Sequence, residues 1–252
     1  PLSIFKNKNG KFELLKQLEN SSGWWNTLRL TDLDNDGDMD IIGGNHGLNS
    51  RFKASPDRPV MLYFNDFDAN GDPEAVLCNV HENGKKYPYA LRHTLTTRMP
   101  ALKKKFPDFQ SFREADMLDI FGEEKLKAST VWSAVEMASC IFINDGNYNF
   151  TKQALPVEAQ FSPVYCIELT DVNKDGNVDI ILGGNLYGAQ PETGRYDASY
   201  GNILINNGKA GFTDATHQYG LSVKGEIRSV IAIGTNVFFF INNGPVRVLQ
   251  LQ

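Results

Sequence analysis

DLDNDGDMD, residues 32–40, sets acidic side chains at relative positions 1, 3, 5, 7 and 9 (Asp32, Asp34, Asp36, Asp38 and Asp40) around a glycine at position 6, Gly37. Carboxylates packed this densely repel one another unless a cation sits among them. All-oxygen donors on a turning loop suit a hard ion with flexible coordination geometry, which points to Ca²⁺. The glycine supplies the sharp turn that wraps the loop back on the ion.

The pattern returns twice. DFDANGDPE places Asp66, Asp68, Asn70, Gly71, Asp72 and Glu74 at the same offsets, and DVNKDGNVD does so with Asp171, Asn173, Asp175, Gly176, Asn177 and Asp179. Solvated acidic turns are the bland alternative, and recurrence at fixed offsets argues against it. An EF-hand is excluded, because it needs a bidentate Glu at position 12 and flanking helices, whereas that position holds Gly43, Leu77 and Leu182. A dockerin-type loop fails for the same reason. The runs that the loops lead into (DIIGG, EAVL, DIILGG) are apolar and of strand length. Each loop is therefore expected to join two strands, with position 9 closing the site.

The 252 residues allow one large or two small domains, and 41% hydrophobic content suffices for a core. No run of about 18 apolar residues is present, so no membrane-spanning helix is expected. Of the 30 acidic residues, 12 lie in the three loops, and three doubly charged ions would bring the formal charge from −5 to +1. The acidity therefore belongs to metal loops. No basic block interleaved with aromatics suggests nucleic acid. The odd number of cysteines rules out a complete disulfide framework, and Cys78, Cys140 and Cys166 lie in or beside apolar runs, which predicts buried free thiols. The chain opens at Pro1 with no signal-like segment and reads as a cut-out piece or a mature chain.

A second element recurs. IFKNKNGKFELL (4–15), IFINDGNYNF (141–150), ILINNGKAGF (203–212) and FFFINNGPVRVL (238–249) each read as strand, Asn/Gly turn, strand. Asn and Gly tolerate the positive φ of tight hairpins. Taken in chain order, the unit is hairpin, strand, metal loop, strand, which makes four strands. Recurring four-stranded antiparallel units predict an all-β fold of propeller-like blades. About four are expected, near 1–58, 59–155, 156–220 and 221–252, the last without a metal loop. The sheet edges this leaves suggest a single domain over 1–252 that is itself a fragment of a larger propeller, with upstream repeats of the same polypeptide as partners. Between 89 and 135 the period of two is lost, and a short helical insertion is expected, broken at Pro100 and Pro107, with Phe112, Ala115, Leu118 and Phe121 on one face. Lys103–Lys105 reads as a solvated face.

The DxDxDGxxD loops leading into DIIxGG, together with the IxxNNGxxxF hairpins, resemble FG-GAP/VCBS repeats, the family that includes the propeller of integrin α subunits. KKYPYALRHTLTTRMPALKKKFPDF, ALPVEAQFSPVYCIELTDVNKDG, GGNLYGAQPETGRYDASYG and the closing GEIRS…NNGPVRVL are similar to the C-terminal part of large VCBS-repeat proteins of Bacteroidetes, of the ASPIC/UnbV-associated type. The resemblance implies an exported protein, periplasmic or at the cell surface, and a Ca²⁺-binding propeller; it implies no reaction. Carried over, it assigns Asp32, Asp34, Asp36 and Asp40 with the Asp38 carbonyl to a first site. Asp66, Asp68, Asn70 and Glu74 with the Asp72 carbonyl fall to a second, and Asp171, Asn173, Asp175 and Asp179 with the Asn177 carbonyl to a third. Up to three Ca²⁺ ions would be held. The second site departs from the pattern in Pro73 and Glu74, and the first, richest in carboxylates, should bind more tightly than the third.

Two further groups are candidates for chemistry or binding. His81, Tyr87, Tyr89, Arg92 and His93 could act on a polysaccharide if one groove held them, although docking of the helices explains them as well; no catalytic residue is assigned. The loop 187–201 has the Tyr- and Gly-rich composition of a binding loop, with Tyr187, Arg195, Tyr196, Asp197 and Tyr200 as candidate ligand contacts. Trp24, Trp25 and Trp132 are expected in packing. The function expected is binding of a protein or glycan by a calcium-stabilised repeat module. A carbohydrate-active enzyme (lyase or hydrolase) and a structural spacer of a larger exported protein are the alternatives.

Overall fold

The computed structural model describes residues 1–190 and 192–251. β1 (Ser3–Lys8) and β2 (Lys11–Gln17) form a hairpin; β3 (Thr27–Thr31) and β4 (Asp40–Gly44) flank the first acidic loop; β5 (Val60–Asn65) and β6 (Glu74–Val80) flank the second. After β7 (Lys86–Pro88) come five short helices, α1 (Arg92–Arg98), α2 (Leu102–Lys105), α3 (Phe109–Phe112), α4 (Met117–Phe121) and α5 (Glu123–Ala128). Next are β8 (Thr130–Ala134), then β9 (Cys140–Asn144) with β10 (Phe150–Ala154). β11 (Val164–Thr170) and β12 (Asp179–Gly184) flank the third loop. β13 (Asn202–Asn206), β14 (Phe212–Asp214), β15 (Ile227–Ile233), β16 (Asn236–Ile241) and β17 (Arg247–Gln250) complete the order.

The protein is mostly β, built from small antiparallel sheets of two to four strands and a short helical insertion. Each acidic loop joins two neighbouring antiparallel strands, and each Asn/Gly segment turns a hairpin, as the sequence predicts. The grouping differs from expectation. β9–β10 does not precede the third metal loop within one sheet; it completes the first, in the order β10-β9-β4-β3. The second sheet of this kind is β11-β12-β13-β14. The repeating unit is therefore strand, acidic loop, strand, then hairpin. The boundaries near 155 and 220 fall between sheets, but 1–58 and 59–155 are not one blade each: β9–β10 crosses over to join β3–β4, and the residues between β4 and β9 form a sheet of their own, β7-β6-β5-β8.

The chain falls into two compact units. One comprises Pro1–Leu2, Glu19–Gly23 and Phe52–Glu136; the other comprises Ser3–Leu18, Trp24–Arg51 and Met137–Gln252. In the first, Tyr63, Phe67, Val76 and Cys78 of the sheet side pack against Leu95, Met99, Met117 and Phe121 of the helical side. The helices break at the two prolines, but the expected face is only partly right. Asp108 and Asp116 each make a capping box, so α3 and α4 start afresh and their registers are independent. Phe121 and Ala115 are buried, whereas Leu118 is 54% exposed and Met117 and Ile120 take its place. Thr130–Ala134, inside the expected helical span, is a strand paired with β5, and its Trp132 is exposed.

In the other unit, β11 packs beside β3 and β4, and β15 beside β11 and β12. DIILGG reads as one apolar run because both faces of β12 are covered. Ile180 and Leu182 join the core shared with Ile42, Ile141 and Ile167, while Ile181 joins Ile227, Val237 and Phe239. Gly184 ends the strand where a Cβ would come within 1.9 Å of the Pro163 carbonyl oxygen, so no larger residue fits there. β15-β16-β17 has three strands, and a tight turn at Gly234 (φ +59°) replaces the acidic loop. All three cysteines are buried, and none forms a disulfide.

Candidate metal centres

The three acidic loops share one construction. The position-1 carboxylates Asp32, Asp66 and Asp171 each accept from the backbone N–H groups of positions 5 and 6, at 2.8–3.2 Å. Position 4 (Asn35, Ala69, Lys174) is left-handed at φ +60 to +63°, and the position-6 glycines lie at φ +89 to +95°. Two closely spaced turns of this hand curl the acidic side chains towards one point, and a β-carbon at position 6 would be strained. Position 5 caps position 7: Asp36 Oδ1, Asn70 Oδ1 and Asp175 Oδ1 accept from the N–H of Asp38, Asp72 and Asn177.

Position 9 ties the loop to its sheet. Asp40 Oδ2, Glu74 Oε2 and Asp179 Oδ2 each accept at 2.8 Å from the position-2 N–H (Leu33, Phe67, Val172). The second oxygens of Asp40 and Asp179 accept at 2.8 Å from Asn144 and Asn206, in the hairpin beside them. The longer Glu74 reaches the same position-2 contact despite the preceding Pro73. Asp40 and Asp179 are fully buried, and burial pushes both carboxyls above the usual carboxylate range. Asp34 is raised as well, by burial first and then by the neighbouring charges of Asp36 and Asp32. Holding these groups ionised calls for a compensating positive charge.

Oxygens of Asp32, Asp34 and Asp40 lie within 4.8 Å of one another, and so do those of Asp66, Asp68 and Glu74. In both clusters a position-3 oxygen, Asp34 Oδ1 or Asp68 Oδ1, is buried with no hydrogen-bond partner. Donor type, convergence and these orphaned oxygens fit a hard cation in the first two loops. The third loop differs: Asn173 stands at position 3, its amide donates to Asp175 Oδ2 at 2.8 Å, and hydrogen bonds from Asn177 and Asn173 lower the Asp175 carboxyl. Among the described residues, its acids do not form a converging cluster like the other two.

Sequence reasoning passed over the asparagines that anchor these loops. Asn206 Nδ2 donates to the carbonyls of Leu33 (2.8 Å) and Val178 (3.1 Å), which ties the first loop to the third, and its Oδ1 accepts from Gly208. Asn144 donates to the Met39 carbonyl and accepts from Gly146. Their signal was present in the recurring Ile-x-x-Asn of the hairpins.

The other candidates are dispersed. In the 187–201 loop, of which Pro191 lies outside the described residues, Tyr196 is buried edge-on to His46. Arg195 stacks over Tyr187 at 5.2 Å, and the Tyr187 N–H donates to Glu226. Asp197 is exposed, and Tyr200 lines a separate groove of about 340 Å³ with Phe161, Asp214 and His217. Arg92 donates to the Phe106 and Pro107 carbonyls and so holds α1 to the α2–α3 turn; Tyr89 packs on Phe52, His81 on Tyr87, and His93 is exposed. These contacts are those of docking. Trp25 packs on Phe142 and Trp24 on His46. Among the described residues, no helix is long and apolar enough to cross a membrane. No protein-family model and no curated protein matches the chain.

Proposed function

We propose that this chain is a calcium-stabilised repeat module of the propeller type, from an exported protein, whose task is binding a protein or glycan rather than catalysis. The observation that carries the calcium assignment is the pair of buried, partnerless oxygens, Asp34 Oδ1 and Asp68 Oδ1, at the same position of two similarly built loops. A cation there would neutralise Asp32, Asp34 and Asp40, or Asp66, Asp68 and Glu74. It would fix the loop and thereby the register of the two strands it joins. The third loop would bind more weakly, if at all, since Asn173 supplies no charge.

The propeller reading rests on the repetition of strand, acidic loop, strand, hairpin, and on the side-by-side placement of β3, β11 and β15, the first strands of successive sheets. Binding rather than catalysis is favoured because the candidates are divided: Tyr87 and Arg92 line one groove of about 630 Å³, His81 lines another with Lys53 and Glu82, Tyr89 packs on Phe52, and Arg92 is held by the Phe106 and Pro107 carbonyls. Thermal unfolding in Ca²⁺, in chelator, and in Mg²⁺ at equal concentration tests the reading. A fall in Tm with chelator that Ca²⁺ restores and Mg²⁺ does not is expected. An unchanged Tm would remove the metal and with it the main support for the family.

A further inference from the structure

The hairpin β1–β2 stands as a two-stranded sheet, yet it matches in pattern and pairing the hairpins that supply the third and fourth strands of the two complete sheets. Asn7, Asn144 and Asn206 occupy one position: each stands three residues after an Ile, and each is paired across its hairpin with a phenylalanine, Phe12, Phe150 or Phe212. In the two complete sheets the strand carrying this Asn is central. Its other edge pairs with the strand leaving an acidic loop, with Ile41 opposite Phe142 and Ile180 opposite Leu204. The closing aspartate of that loop takes the Asn N–H. β1 is paired on one edge only. The consequence is visible in exposure: Phe142 and Leu204 are 1% and 0% exposed, whereas their counterpart Phe5 is 55% exposed, with Phe12 and Leu14 exposed beside it.

We propose that the open edge of β1 docks a strand–acidic loop–strand segment of this same repeat type, supplied from outside residues 1–252. Its cation loop closes with an Asp that accepts from the Asn7 N–H, and its second strand sets an apolar side chain opposite Phe5. The inference rests on the repeat reading proposed above. Charge supports the occupant: the hairpin carries Lys6, Lys8, Lys11 and Lys16 against Glu13 alone, which suits an acidic loop. Lysines also deter indiscriminate edge pairing, so an apolar strand without the loop is disfavoured. The chain cannot supply the segment itself, because β4, β6 and β12 are each already paired on both edges. A second copy of the chain is disfavoured for the same reason. Strand addition of this kind draws affinity from main-chain hydrogen bonds and selectivity from alternate side chains.

The probe is a synthetic peptide copying residues 27–44, TLRLTDLDNDGDMDIIGG, fluorescently labelled and titrated with the intact protein in millimolar Ca²⁺. Saturable binding is expected, with slowed exchange of the Asn7 amide. Asp40→Ala in the peptide should weaken it about tenfold or more, through loss of a charge-assisted hydrogen bond. Phe5→Lys in the protein should weaken it similarly; Phe5 is exposed, so the variant folds, which the Trp24 and Trp25 fluorescence verifies. Absence of saturable binding, or binding indifferent to Phe5→Lys with the Asn7 amide unprotected, overturns the proposal, as does a dimer of the free protein formed through β1. Calcium binding by the protein's own loops is read without peptide, so that reading and this one can fail separately.

Discussion

The equivalence of Asn7, Asn144 and Asn206 predicts a graded response to one substitution. Asn206→Ala removes two donated hydrogen bonds, at 2.8 and 3.1 Å, and one accepted at 3.1 Å, in a site 1% exposed. At about 1 kcal/mol per net bond, with an added desolvation penalty for stranded buried carbonyls, the loss comes to about 3–5 kcal/mol. That is a large part of the roughly 5–15 kcal/mol that holds an ordinary domain together. Asn144→Ala removes two longer bonds, at 3.3 and 3.2 Å, at a site 8% exposed, for about 1–2 kcal/mol. Asn7→Ala removes one exposed bond to the Gly10 N–H, at 2.8 Å, for about 0.5 kcal/mol. Urea unfolding at fixed Ca²⁺, monitored through Trp24 and Trp25, gives the three values from shifts in midpoint. Equal effects across the series, or an Asn206→Ala loss below about 1 kcal/mol, would refute the inter-loop tie and the ranking by partners and burial.

Burial and charge set the other expected outcomes. With chelator present, Asp34, Asp40 and Asp179 have raised carboxyls in the folded state, so the fold binds protons more tightly than the unfolded chain. In a His46→Gln background, which removes the opposing slope of that histidine, the metal-free Tm should therefore rise as pH falls from neutral through their raised folded values towards the ordinary 3.8. With saturating Ca²⁺ the trend should reverse, because protons then compete with the ion; parallel profiles would contradict this. His46, buried between Trp24 and Tyr196, is lowered by burial to about 4, so the unfolded chain takes its proton first as pH drops below 6.5. Between 6.5 and about 4 it should remove about 3 kcal/mol of stability, a slope that His46→Gln abolishes. Burial pushes the Cys78 and Cys166 thiols up to about 12, so a thiol reagent at neutral pH should label neither until urea unfolds the chain. Rapid native labelling would place them at the surface.

What could be read in the sequence was local. The offsets of the acidic residues, the position-6 glycine and the Asn/Gly turns are dictated by backbone geometry within a dozen residues, and the structure forms each of those loops and hairpins. Pairing between distant strands carries no such signal. That β9 completes the sheet of β4, across nearly a hundred residues, depends on core contacts such as Ile42 with Ile141, which any apolar strand could imitate. The helix registers were lost to the capping boxes at Asp108 and Asp116, and β8 was hidden because it is five residues long and buries only Ala134, which leaves no alternating core face to read. Within the candidate site, ligand spacing was legible and convergence was not: Asn173 occupies the right offset yet turns its amide onto Asp175. Tyr196 has the composition of a ligand contact and the burial of a core residue, a difference only the fold around His46 decides.

The most direct test of the calcium assignment is calorimetric titration of the chelator-stripped protein with Ca²⁺, alongside Asp34→Asn and Asp68→Asn. Two tight sites are expected, each variant abolishing one and leaving the other, with any third event much weaker. A protein that takes up no Ca²⁺, or whose binding both substitutions leave intact, would contradict the account.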